Sequence, residues 1–159
     1  MKRIICIELF EQHKKATFYT LRFQDEELSE FDKFFNKFDS QSDFDSEMDT
    51  IASWLEIIGR EGVLERHFRP EGDKRVKAIP INLGKKLRLY CFRIDDIFLL
   101  IGGGGIKHVR RFQDDSDLEE MVRIVRKAGN KLLRYYDQGK IKKEQNNTLS
   151  GKLTFTIDL

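Results

Sequence analysis

Lys86-Leu87-Arg88-Leu89-Tyr90-Cys91-Phe92-Arg93-Ile94, then Asp95-Asp96, then Ile97-Phe98-Leu99-Leu100-Ile101 reads as two β-strands joined by a short acidic turn. A turn of that length joins consecutive antiparallel strands. Phe98-Leu99-Leu100-Ile101 shows no polar alternation, the pattern of a strand covered on both faces, and is the expected centre of a sheet. Upstream, 76–81 is a third β-favouring run, separated from the 86–94 run by Asn82-Leu83-Gly84. Pro80 cannot donate a ladder hydrogen bond, so this run belongs at or near an edge.

Moving outward, 4–9 and 16–23 are β-rich and flank the polar Glu11-Gln12-His13-Lys14-Lys15, as in an opening hairpin. Leu28, Phe31, Phe34, Phe35 and Phe38 recur at spacings of three and four and predict a helix over about 26–38 whose aromatic stripe is core. Met48, Ile51, Ala52, Leu55 and Ile58 lay out a second helix, with Ser46 as a candidate cap and Gly59 or Gly62 as its end. The short acidic connection between the two predicts an antiparallel helical hairpin. A long helix opens at Asp114, Asp115 or Ser116, carries Leu118, Met121, Val122, Val125, Leu132, Leu133 and Tyr136 on one stripe, and ends near Gly139. Residues 140–150 read as a polar linker, and 152–159 alternate strictly, as a strand that needs the edge of its own sheet or of a partner.

The expected fold class is therefore α+β: a mainly antiparallel twisted sheet with an N-terminal helical hairpin and a long C-terminal helix packed on it. A chain of 159 residues suits one domain, here 1–139, with 140–159 as linker and C-terminal strand extension. Charged residues make up 35% and apolar ones 40%, the balance of a folded globule. No apolar run approaches membrane-spanning length and charge interrupts Met1-Lys2-Arg3-Ile4-Ile5 early, so the expectation is a cytoplasmic protein without membrane contact. Cys6 and Cys91 have no CxxC or Cys/His neighbours, and His13, His67 and His108 lack metal-ligand spacing, so neither a metal nor a cofactor is expected.

The net charge of +2 conceals a segregation. Residues 1–64 carry 8 basic and 14 acidic groups, whereas 65–112 carry 12 basic against 5 acidic; the remaining 47 residues carry 9 and 8. Such asymmetry points to a polyanionic partner, because clustered Lys and Arg release counterions when they meet phosphates. Alternation along 86–92 places Arg88, Tyr90 and Phe92 on one face, a cation beside two aromatic rings, which suits RNA; the same rings would equally pack under the C-terminal helix. Gly102-Gly103-Gly104-Gly105-Ile106-Lys107 fits neither a GxxxxGK[ST] phosphate loop nor GxGxxG, and is better read as a bulge at the strand exit or a place of close backbone approach. A small-molecule pocket beside these glycines is a weaker alternative.

The order of elements, and above all the run 87–102 with its Leu-Arg strand, acidic turn, apolar strand and glycine, resembles bacterial toxins of the RelE and HigB type from toxin–antitoxin pairs. The basic Lys107-His108-Val109-Arg110-Arg111 and the helix after it extend the likeness over roughly 16–137. The resemblance implies a metal-independent endoribonuclease that cleaves mRNA, often at the ribosome, inhibits translation, and is neutralised by a cognate antitoxin. It implies Arg88, Lys107, His108 and Arg111 as catalytic residues: Arg88 and Arg111 stabilise phosphate charge with Lys107 and Arg110 in support, and His108 exchanges the proton. RNA contacts are assigned to Arg66, Arg69, Lys86, Tyr90, Arg93 and Arg110. The chain departs from the pattern in its glycine run, in having no late catalytic Tyr or His beyond Arg111, and in its tail. The alternative is a non-catalytic module binding nucleic acid or an acidic protein through its basic face, with a homo-oligomer or strand pairing through 152–159.

Overall fold

The computed structural model describes residues 1–70, 75–79, 86–107 and 116–159. Its strands are β1 (Lys2–Gln12), β2 (Thr17–Phe23), β3 (Arg69–Pro70), β4 (Val76–Ala78), β5 (Leu87–Arg93), β6 (Phe98–Ile106), β7 (Ile141–Lys143), β8 (Leu149–Gly151) and β9 (Thr154–Asp158). The helices are α1 (Glu30–Phe38), α2 (Asp45–Glu61) and α3 (Ser116–Asp137), with 3-10 turns at Ser42–Phe44 and Glu65–His67. The fold is α+β. Seven strands form one sheet in the order β3-β4-β5-β6-β2-β1-β9, and β7-β8 form a separate hairpin. Every neighbouring pair is antiparallel except β2 with β6, which run parallel with Thr17 opposite Phe98 and Thr20 opposite Ile101. That parallel pair was not expected, because α1, α2 and the β3–β5 excursion intervene between its two strands.

Strand β6 is the fourth of seven, and its alternating side chains feed two separate cores. Leu99 and Ile101 join Phe18, Phe31, Phe34, Phe38, Ile51, Leu55 and Ile58 beneath α1 and α2. Phe98 and Leu100 join Tyr19, Leu21, Tyr90, Phe92, Val122, Val125 and Leu132 beneath α3. Burying each such side chain contributes roughly 1.5–3 kcal/mol, so losing either layer would unfold a domain of ordinary marginal stability.

The helices obey local rules. Ser29 caps α1, its side chain accepting from the Asp32 N–H at 3.0 Å, with Glu30 and Asp32 in the first turn and Lys37 in the last. Helix α2 starts at Asp45 from the 3-10 turn without a side-chain cap, one residue before the expected Ser46, and stops at Gly62, whose φ of 111° is the left-handed region. The rings of α1 pack on one another and on the 3-10 turn that leads into α2, with Phe34–Phe38 and Phe38–Phe44 centroids 5.1 and 5.2 Å apart. Asp95 makes the β5–β6 turn, one carboxylate oxygen accepting from the N–H groups of Ile97 and Phe98 at 2.8 and 2.9 Å.

The glycine run is where the layers close up. Between Leu89–Gly104 and Cys91–Ile101 the register shifts, so Gly102 and Gly103 stand against Tyr90 alone, a bulge in β6. A Cβ on Gly102 would lie 2.3 Å from Val125 Cγ2 of α3, and one on Gly104 would lie 1.7 Å from the Arg88 carbonyl oxygen. Gly129 of α3 leaves the reciprocal gap, since a Cβ there would fall 2.2 Å from the Phe92 ring. Val125 thus enters the space above Gly102, and Phe92 the space beneath Gly129.

The C-terminal segment is part of the domain. Residues 140–150, read as a linker, contain β7 and most of the β7-β8 hairpin, with Ile141 and Leu149 buried in the α3-side core. The Leu149 N–H donates to the Tyr19 hydroxyl at 2.7 Å, and Thr17 donates to the Asn147 carbonyl at 2.6 Å. Burial pushes the Tyr19 hydroxyl above its ordinary pKa. Strand β9 finds its partner within the same chain, Lys2 opposite Asp158 through Cys6 opposite Thr154.

In that ladder the Leu159 N–H donates to Met1, which turns the carbonyls of Thr156 and Asp158 to the outer edge. The ammonium groups of Lys131 and Lys127 on α3 donate to those two carbonyls. The edge expected to recruit another chain through 152–159 is therefore partly occupied by lysines of its own helix.

Two outcomes follow from these contacts. Gly104→Ala should cost about 3 kcal/mol in urea unfolding, because β5 and β6 must separate, whereas Gly105→Ala, whose Cβ would sit at ordinary contact 3.4 Å from Leu118, should change stability by less than about 1 kcal/mol. The double variant Lys127→Ala, Lys131→Ala frees the β9 edge and should self-associate in sedimentation measurements at concentrations where the wild type does not; unchanged sedimentation would show that the lysines do not guard it.

Candidate nucleic-acid interface

Of the ten residues expected at the site, Arg88, Tyr90 and Arg93 lie on strand β5, and Lys86 immediately precedes it. At its start, the Lys86 and Leu87 N–H groups donate to the two Glu47 carboxylate oxygens at 3.3 and 2.8 Å. Glu47 lies on α2 and is only 6% exposed. Across the ladder the Lys107 N–H donates to the Lys86 carbonyl at 2.7 Å, making these two lysines cross-strand neighbours. Arg88 is two residues further on, opposite Gly105 and half-buried, with Nη1 donating to the Leu87 carbonyl at 2.9 Å. Lys86, Arg88 and Lys107 therefore share one end of the β5–β6 ladder, beside Leu118 in the first turn of α3.

At the other end of β5, Arg93 donates from Nε to the Val63 carbonyl at 2.7 Å and from Nη2 to Asp96. Arg66 Nη2 lies 3.3 Å from Glu61 Oε1, which also meets His67 Nε2 at 3.0 Å. The seven steps from Lys86 to Arg93 extend roughly 23 Å at the rise of a strand. The expected set is thus split between two ends of one strand. A groove of about 370 Å³ lies at the Arg93 end, lined by Glu65, Arg75, Lys77, Phe92, Arg93, Ile94 and Leu133.

The middle of the strand corrects the sequence reading. Tyr90 is fully buried and Phe92 is 1% exposed, both beneath α3. The physical reason is the Gly102 and Gly129 gaps, which bring α3 down onto this face. Tyr90 is therefore unavailable as a platform for an unstacked base. Arg69 stands in edge strand β3 opposite Ala78. His108, Arg110 and Arg111 lie outside the described residues.

Two groups of functional interest were not anticipated. Glu47 carried no sequence signal, since its role in holding the basic end of β5 depends on a contact 40 residues away. The cationic face of α3 did carry one: 121–136 contains Arg123, Arg126, Lys127, Lys131 and Arg134 and no acid, a pattern concealed by averaging over 113–159. Of the lone groups weighed earlier, His13 packs its ring on Phe18 at 4.8 Å and against Gly59, and Cys91 is buried with its thiol pushed well above the ordinary range by desolvation. Among the described residues no three His, Cys, Asp or Glu side chains gather as metal ligands, and no helix is long and apolar enough to cross a membrane.

No family model matches the chain, and no curated protein and no solved structure is significantly similar to it. The likeness to the RelE and HigB toxins therefore rests on the residues quoted for it.

The Arg66 end yields a pH test. The His67 hydrogen bond, with Arg66 beside it, holds the Glu61 carboxyl below its ordinary pKa. A carboxylate depressed in the folded state stabilises the fold above its unfolded pKa, and that contribution disappears as pH falls through the folded value. Glu61→Gln should lower the Tm near neutrality, with the gap to wild type closing between about pH 6 and about pH 3; a gap independent of pH would remove Glu61 as its source.

Proposed function

We propose that this protein acts on RNA as a toxin-like, metal-independent endoribonuclease, with phosphate held at Lys86, Arg88 and Lys107. The observation that carries the reading is the meeting of these three cations from two adjacent strands, Arg88 and Lys107 half-buried, on a backbone fixed by Glu47. Partial burial strengthens the attraction of a guanidinium for a phosphorane, because less water competes for the charge. In the proposed step the RNA 2′-hydroxyl attacks the adjacent phosphorus and the bond to the 5′-oxygen breaks. His108 takes the 2′ proton and, as imidazolium, returns it to the leaving 5′-oxygen, and Arg111 with Arg110 adds positive charge. The products are a 2′,3′-cyclic phosphate and a 5′-hydroxyl.

The finer architecture belongs to the same proposal: a RelE-like domain whose N-terminal helical pair covers one sheet face and whose long C-terminal helix covers the other. So do its cytoplasmic setting, its action on mRNA at the ribosome, and neutralisation by a cognate antitoxin. A second reading, a module that binds nucleic acid or an acidic protein without cutting, is favoured by the burial of Tyr90, which leaves β5 without a base-stacking ring.

Incubation with RNA in EDTA, free and on ribosomes, tests the two. Cleavage with cyclic phosphate ends, reduced at least about tenfold by Arg88→Ala and by Lys107→Ala, supports the enzyme. Intact RNA with folded wild type in both settings overturns it, and steeply salt-dependent binding without turnover supports the second reading.

A further inference from the structure

Away from the β5–β6 cluster, three lysines converge on one ring. The Nζ atoms of Lys131, Lys140 and Lys152 lie 5.8, 5.2 and 5.4 Å from the centroid of Tyr135. No two of these ammonium groups can then be more than about 11 Å apart. They arrive from α3, from the residue before β7 and from the residue after β8; the last two are joined by the Lys152 N–H donating to the Lys140 carbonyl at 3.0 Å. Tyr135 is 9% exposed and held edge-on against Phe155, with centroids 5.5 Å apart, so the ring is a fixed floor. Among the described residues none of the three lysines is paired with a carboxylate.

Lys131 also lines a groove of about 300 Å³ between α3 and the β9 edge, together with Lys127, Asn130 and Arg134 on the helix and 156–158 on the strand. Lys127 and Lys131 donate there to neutral carbonyls, which orient the ammonium groups without cancelling their charge. The acid in the groove, Asp158, has its carboxylate 3.3 Å from the amino group of Met1. Lys127, Lys131 and Arg134 follow one another on a single helical stripe at steps of roughly 5–6 Å, and Lys140 and Lys152 extend the row past the helix end. The positive charge therefore runs from the groove onto the Tyr135 ring, with Lys131 common to both.

We propose that this groove and the lysine-ringed Tyr135 beside it, with Lys131, Arg134, Lys140 and Lys152 as their cations, form a second anion site that binds the phosphodiester backbone of RNA. A row of cations set in a groove, with the Asn130 amide among them, matches regularly spaced phosphates along a strand. From Leu118 at the β5–β6 cluster to Lys131 is roughly 20 Å along α3, so the two sites are separate. The second site also draws Lys140 and Lys152 from the segment beyond the family likeness. The inference shares RNA as ligand with the proposed function but does not rest on cleavage.

The test is fluorescence anisotropy with a labelled polyuridine of about 20 nucleotides over a range of KCl concentrations. The triple variant Arg134→Gln, Lys140→Gln, Lys152→Gln leaves the β9 edge lysines in place and alters exposed side chains, so it should keep the wild-type Tm. It should bind at least about tenfold more weakly at low salt, with a slope of log K against log salt shallower by about 2, the value for three lost contacts to a single strand. Unchanged affinity and slope, or no binding by wild type, overturns the site. An equal or larger loss of binding to polyglutamate or to phosphatidylglycerol vesicles overturns RNA as its ligand. Arg88→Ala, Lys107→Ala separates the two proposals: RNA binding that survives it and is then abolished by the triple substitution supports the second site, whereas binding already abolished shows that the β5–β6 cluster is the sole site.

Discussion

The structure turns on the absence of side chains in the second half of its central strand. With Gly102 and Gly104 in β6, Val125 of α3 and the Arg88 carbonyl approach the backbone at distances that a Cβ would forbid, and at Gly103 the start of α1 comes close. A bulge placed there lets one strand serve a tight ladder with β5 and two helical layers at once. Gly129 on α3 and Phe92 on β5 repeat the device from the other side. Close packing of this kind has little slack, because interiors are as dense as organic crystals and a single methyl group must displace something.

That constraint decides where chemistry can occur. By drawing α3 onto the sheet it buries Tyr90 and Phe92, which lie between Lys86, Arg88 and Lys107 at one end of the β5–β6 ladder and Arg93 at the other. Helix α3 in turn offers solvent a face without acids between 121 and 136. Two lysines of that face lie over the outer carbonyls of β9, so the same helix covers a core, guards a sheet edge and carries charge. The C-terminal hairpin and β9 complete the groove and the lysine cluster beside it, which makes the tail part of the surface that meets an anion.

Much of the fold was legible. The apolar Phe98-Leu99-Leu100-Ile101 named the sheet centre because a strand buried on both faces has no reason to alternate. Phe31, Phe34 and Phe38 named the α1 core face because helical spacing aligns them, and Gly139, at φ 77°, marked the end of α3. Other features lay out of reach. The parallel pairing of β2 with β6 joins strands separated by about 75 residues, and nothing local encodes a partner at that distance. The hairpin of 140–151 looked like a linker because only Ile141 and Leu149 point inward, and their burial depends on Tyr19 and α3.

For the candidate site the division is sharper. The sequence alone determined that Arg88, Tyr90 and Phe92 lie on one face of a strand, since alternation is a property of the extended backbone. It also determined that positive charge gathers in 65–112 and that the glycine run does not have the spacing of a nucleotide loop. Only the tertiary structure decided that α3 covers that face, that Glu47 anchors its basic end, and that Lys131, Lys140 and Lys152 surround Tyr135. Periodicity distinguishes the two sides of an element but not what packs on them. That choice is made by shape, here by the missing side chains at Gly102 and Gly129, through contacts between residues far apart in the chain.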